Sequence, residues 1–142
     1  MRASVTDAPI DLASIAREVA VVTNGATAMF LGTVRDNNDG RSVSGIEYSA
    51  YREMAELEMH SILQEAGKQF GIEHAVVVHR IGTLRVGDTS IAVATAHAHR
   101  AAAMDSLRYI VEQTKSRAPV WKLELYDDGT REWVGAGGVA RQ

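Results

Sequence analysis

Cysteine is absent from all 142 residues, and proline occurs only twice, at positions 9 and 119. A chain without a thiol has no disulfide scaffold, no thiolate nucleophile, no persulfide of its own and no zinc ribbon. No apolar run approaches the ~20 residues that a membrane-crossing helix needs. Residues 1–10 include Asp7 and Pro9 and lack an apolar centre, so they do not read as a signal peptide, and the expected location is cytoplasmic. Lysine is scarce: three residues, at 68, 115 and 122, against twelve arginines. A net charge of −3 argues weakly against non-specific nucleic-acid binding. What is present is ordinary for a globular protein, with 46% hydrophobic and 23% charged residues. A single domain of this length buries roughly 68–70% of its unfolded surface.

The pattern along the chain predicts a helix over residues 11–20, with Asp11 as its N-cap. A strand over 25–35 runs into the polar loop 36–40, and a second strand follows over 43–51. Residues 53–70 form a long helix with Met54, Leu57, Ile62, Leu63 and Ala66 near one stripe and Gly71 just past its end. Residues 72–81 form a strand, and Gly82 and Gly87 bracket a short reversal. Residues 89–99 alternate, with Ile91, Val93, Thr95, His97 and His99 on one face. Alanines fill the other, a low surface on which a helix packs closely. A helix over 100–115, with Met104, Leu107, Val111 and Thr114 on a face, stops before Pro119. Residues 120–126 form a strand with Lys122, Glu124 and Tyr126 on one face. A short strand follows at 131–134, and the glycine-rich stretch 135–142 reads as a loose tail. Paired strands with helices between the pairs predict one α+β domain, a mixed or mostly antiparallel sheet with helices on one face.

Several residues carry possible chemistry. The free N–H groups where a strand ends and a helix begins attract anions, and His99 and Arg100 fall there. Arg35 closes a strand before a polar loop, as a solvated side chain or as a phosphate or carboxylate clamp. Lys115 complements a helix C-terminus. Lys122 lies within a strand, where propensity does not favour lysine, either paired with Glu124 or serving as an acid/base group. His97 and His99 are about 7 Å apart along a strand and could begin a metal site with His79 as third ligand, but no clearer ligand set exists, and no metal is expected. The chain has no phosphate loop and no nucleophile elbow.

Four stretches then carry a family likeness: GATAMFLGTVRDNNDGRSV, YSAYREMAE, VVVHRIGTLRVGDTSIAVATAHAHRAAA and KSRAPVWKLE. In combination they resemble the large, catalytic subunit of molybdopterin synthase over residues from about 25 to 134. The resemblance implies the α/β-hammerhead fold of that family. Its two functional lysines fall on Lys115 and Lys122. Its anion-binding arginine falls on Arg35 in Thr33-Val34-Arg35, its His-Arg pair on His99 and Arg100, and its substrate-contacting segment on Lys122-Leu123-Glu124.

The implied reaction is sulfur insertion into cyclic pyranopterin monophosphate. The donor is the thiocarboxylate on the C-terminal Gly-Gly of a small ubiquitin-like subunit, and the product is the dithiolene of molybdopterin. The implied assembly is a homodimer with one small subunit at each end, a heterotetramer, with no cofactor of its own and no nucleic acid or membrane as partner. The residues fit this chemistry: a sulfurtransferase without cysteine must receive its sulfur on another molecule. Arg35, His99, Arg100, Lys115 and Lys122 are expected to converge on one pocket for anions. The tail is shorter than is common in the family, and Arg141 is its basic residue. The alternatives are a non-catalytic anion-binding or regulatory α+β module and a metal-dependent hydrolase built on His79, His97 and His99.

Overall fold

A computed structural model describes residues 1–134; the expected loose tail, with Arg141, lies outside them. Nine strands and three helices occur among the described residues: β1 (Arg2–Thr6), α1 (Leu12–Val19), β2 (Ala26–Thr33), β3 (Asn37–Asn38), β4 (Arg41–Ala50), α2 (Arg52–Phe70), β5 (His74–Arg80), β6 (Gly82–Arg85), β7 (Thr89–His97), α3 (Arg100–Arg117), β8 (Val120–Tyr126) and β9 (Arg131–Val134). They build an α+β fold of two sheets. The first has the order β1-β5-β7-β2, with β1 and β5 parallel and the other pairs antiparallel. The second has the order β3-β4-β8-β9, with β6 also paired to β4.

Local chemistry explains the boundaries. The Asp11 side chain accepts a hydrogen bond from Ser14 N at 3.1 Å, which caps α1. Gly71 ends α2 at φ 70°, a left-handed turn that glycine enters without a Cβ penalty. The helices cover both faces of the first sheet, not one. Val77, Ile91 and Val93 meet α2 and α3 through Met59, Ile62, Leu63 and Ile110. On the reverse face, Val76, Val78, Ala92, Ala94 and Ala96 pack against Ile15 and Val19 of α1, so the alanine surface receives a helix as expected. Both faces of the central strands are buried because the Ala75–Val78 run is apolar on each.

The expected helix faces hold at Ile62, Leu63, Ala66 and Thr114 but fail at one edge: Met54 and Leu57 of α2 and Met104 of α3 are exposed, whereas Ala55, Ala103 and Ser106 are buried. Small side chains let these helices approach the sheet closely, and that close approach outranks the size of the apolar groups. Arg117 ties the last turn of α3 to α2, donating to Glu58 at 2.7 Å and to Glu65 at 2.7 and 2.9 Å. The Arg117 hydrogen bonds, with that of Tyr109, hold the Glu65 carboxyl at about 2.

The second sheet depends on a close crossing at Gly45. A Cβ built there would lie 2.5 Å from the Leu84 carbonyl oxygen of β6. Gly45→Ala is therefore expected to spread the β4–β6 ladder and destabilise the protein by about 1–3 kcal/mol, as overpacking against backbone does. Denaturant unfolding checks this, and a loss below the measurement error would contradict it.

Candidate anion site at the C-terminal end of α3

α3 runs back along β7, so its last turn returns to the sheet end where β2 leaves and β7 begins. β2 exits there through a register shift between Gly32 and Thr33, opposite Thr89. Beyond it, Val34 N donates to Asp88 O at 3.0 Å and Gly87 N to Val34 O at 2.8 Å. Val34 is buried with Ile46 and Leu84, and this anchor holds Arg35 at the surface.

The β4–β8 ladder supplies the adjoining wall. Lys122 stands opposite Tyr48, and Glu124 opposite Ile46. Directly opposite residues share a face, so Tyr48, Lys122, Ile46 and Glu124 form one surface. The Tyr48 ring meets His79 of β5 edge-on, at 5.2 Å and 65°. His79 is 8% exposed, and its Nδ1, assigned as protonated, donates to Arg80 O at 3.0 Å. Burial pushes its pKa down to about 4; the hydrogen bond to Arg80 opposes this, and Lys115 and Lys122 add to the fall. Both lysines therefore act on one buried imidazole from different elements. The Lys115 ammonium also lies 5.9 Å from the centre of the Phe30 ring. Burial raises the Tyr48 hydroxyl; a hydrogen bond with Ser90 opposes this and Glu124 adds to it. Burial also raises Glu124, against the pull of Lys122 and Arg35.

Lys115 and Lys122 thus lie near His79, and Lys122 and Arg35 near Glu124. Thr33 is exposed, whereas the Val34 and Leu123 side chains are buried, leaving main-chain atoms for any ligand contact. His99 and Arg100 are elsewhere. They are exposed at the start of α3, where His99 N donates to His97 Nδ1 at 3.0 Å. Residues 100 and 115 are about 22 Å apart along the helix at 1.5 Å per residue. The expected single pocket does not form within one chain, because a straight helix separates its halves. The metal alternative has no geometry either. His79 pairs with Ile91, six residues along β7 from His97, or about 20 Å. No group of three metal-ligating side chains occurs among the described residues. No helix among them is long and apolar enough to cross a membrane.

Tyr48, Phe30 and Ser90 adjoin these groups, and the sequence did not single them out. His79 was legible only as a possible ligand. Its signal, with that of Tyr48, was membership of the family-like stretches VVVHRIG and YSAY.

The α+β scaffold thus gathers a lysine pair, an arginine and a buried histidine held below its ordinary pKa, a set of groups whose charge suits an anionic ligand. The model of the "MoaE protein" family matches residues 5–117, and the chain belongs to that family. It is 37% identical over 125 residues to the molybdopterin synthase catalytic subunit of Thermoplasma volcanium, covering 88% of this chain and 89% of that one. It is 43% identical over 111 residues to the catalytic subunit of Drosophila grimshawi, covering 77% of this chain but 31% of the longer fly protein. The chain thus spans about a third of that relative. The crystal structure of molybdopterin synthase from Staphylococcus aureus superposes with a TM-score of 0.89 at 30% identity, over 93% of this chain and 96% of that one.

Proposed function

We propose that the chain is the catalytic subunit of a molybdopterin synthase, a cytoplasmic sulfurtransferase of molybdenum cofactor biosynthesis. It converts cyclic pyranopterin monophosphate to molybdopterin, with sulfur from the C-terminal thiocarboxylate of a small ubiquitin-like subunit. The observation that carries this reading is the clustering of Lys115 and Lys122 near buried His79, with Lys122 and Arg35 near Glu124, in a chain without cysteine. Family membership and the relatives' shared name support it.

The chemistry follows from charge. Substrate and donor are both anions. A tetrahedral intermediate at the donor's acyl carbon concentrates negative charge on oxygen, and fixed cations stabilise that charge more than the ground state. Lys122, set in a rigid strand, is the main acid/base or intermediate-stabilising group. Lys115 polarises and positions the acyl group. Arg35 clamps the phosphate. Neutral His79 lies near both lysines without adding a third positive charge to theirs.

His99 and Arg100 are assigned to the phosphate and pterin, and their distance along α3 gives the homodimer a role. A two-fold partner brings its own His99–Arg100 step to this chain's lysine pair, and the reverse, so that two complete sites arise from two chains. Small subunits at the far ends complete a heterotetramer. The test combines the purified chain, a thiocarboxylated small subunit and the cyclic monophosphate. Dithiolene product that persists in the presence of chelator is expected. Binding without turnover would instead identify a non-catalytic anion-binding module.

A further inference from the structure

A carboxylate has no evident place at a site for anions, yet Glu124 stands beside Lys122 and Arg35. It is 6% exposed, and its Oε2 has no hydrogen-bond partner among the described residues. A buried carboxylate oxygen in that state is costly unless opposite charge is near. The charged and titratable groups facing it come from four elements. Lys122 is two residues away on the same face of β8, and Arg35 approaches from the segment after β2. Glu132 is directly opposite on β9, and Tyr48 is on β4. Like charges directly opposite across a ladder repel. Glu132 is exposed and paired with Arg41 at 3.0 Å. The countercharges of Glu124 are therefore Lys122 and Arg35, the cations that an incoming anion would recruit.

We propose that Glu124 is a resident counter-anion of the site, ionised while the site is empty and protonated when an anionic ligand takes over Lys122 and Arg35. This rests on the sulfur-transfer reading and specifies how the site changes charge on loading. The balance is simple: one proton moves from solvent to a Glu124 carboxylate oxygen, and no covalent bond of the ligand changes. The neutral carboxyl then becomes a hydrogen-bond donor, which a bound phosphate or thiocarboxylate can accept. Burial and Glu132 already raise the carboxyl, and the added negative charge of a ligand acts in the same direction. The empty site keeps its cations partly neutralised, and the loaded site avoids two unshielded anions side by side.

Sulfate is a suitable probe because it does not titrate near neutrality. Calorimetric titration in buffers of different ionisation enthalpy counts the protons taken up per sulfate bound. An uptake of about half a proton or more is expected near pH 6, with affinity falling roughly tenfold between pH 6 and 8. In E124Q the uptake should fall to near zero and the affinity at pH 8 should rise about tenfold. Should E124Q not fold, E132Q serves: loss of the exposed opposing charge should move the uptake to lower pH. Sulfate binding without proton uptake in the parent chain would overturn the counter-anion while leaving the anion site intact. Uptake that persists unchanged in E124Q would assign the proton to another group, such as His99, and would also overturn it. Absence of sulfate binding at every pH would remove the anion site itself, and both readings with it.

Discussion

Lys122→Ala is expected to lower the turnover of sulfur transfer by about 10²-fold or more, the usual contribution of a positioned acid/base group. The reason is geometric. Lys122 is fixed by the β4–β8 ladder opposite Tyr48 and shares His79 with Lys115. A solvent-borne cation cannot match that preorganisation. The substitution should leave the fold intact, since Lys122 is half-buried and lies outside the apolar clusters. Initial rates of dithiolene formation, measured beside thermal unfolding, separate chemistry from stability. A near-normal rate would remove Lys122 from the mechanism.

The second large effect is a loss of stability on acidification through His79. Its folded pKa, pushed down to about 4, lies below the ordinary value of 6.5. A base depressed in this way is neutral in the fold while the unfolded chain takes up a proton. Its contribution is complete above about pH 6.5, falls as the pH drops and is gone near pH 4. A difference of this size corresponds to on the order of 3 kcal/mol. Denaturant unfolding across that range should show the slope, and His79→Asn, which retains a donor for Arg80 O, should flatten it. An equal slope in both proteins would place the acid sensitivity elsewhere.

Much of the fold was legible because local chemistry decides it. Asp11 caps a helix, Gly71 ends one, and the alternation at 120–126 sets β8 with the expected face. β1 was missed: five residues of mixed polarity gain their strand only by parallel pairing with β5, some seventy positions away. The helix faces were misread at Met54, Leu57 and Met104 because apolar spacing does not reveal that alanine and serine meet the sheet. At the site, the lysine pair and Arg35 were legible as types that suit anions. Tyr48 and His79 were not, since an aromatic and an imidazole in strands look structural until β4, β5 and β8 bring them near the lysines. The separation of His99–Arg100 from Lys115 was in principle calculable, because the helix between them has a fixed rise. The proposal that a second chain completes the pocket rests on that length.

Subunit mixing tests this arrangement most directly. Lys122→Ala and Arg100→Ala proteins, each inactive alone, are dissociated, mixed in equal amounts and reassociated. Random pairing makes half the dimers mixed, each with one intact site, so activity should return to about a quarter of the parental rate. Recovery of that order is the predicted result. No recovery, with mixed dimers shown to be present, would contradict a site assembled from opposite ends of α3 in two chains.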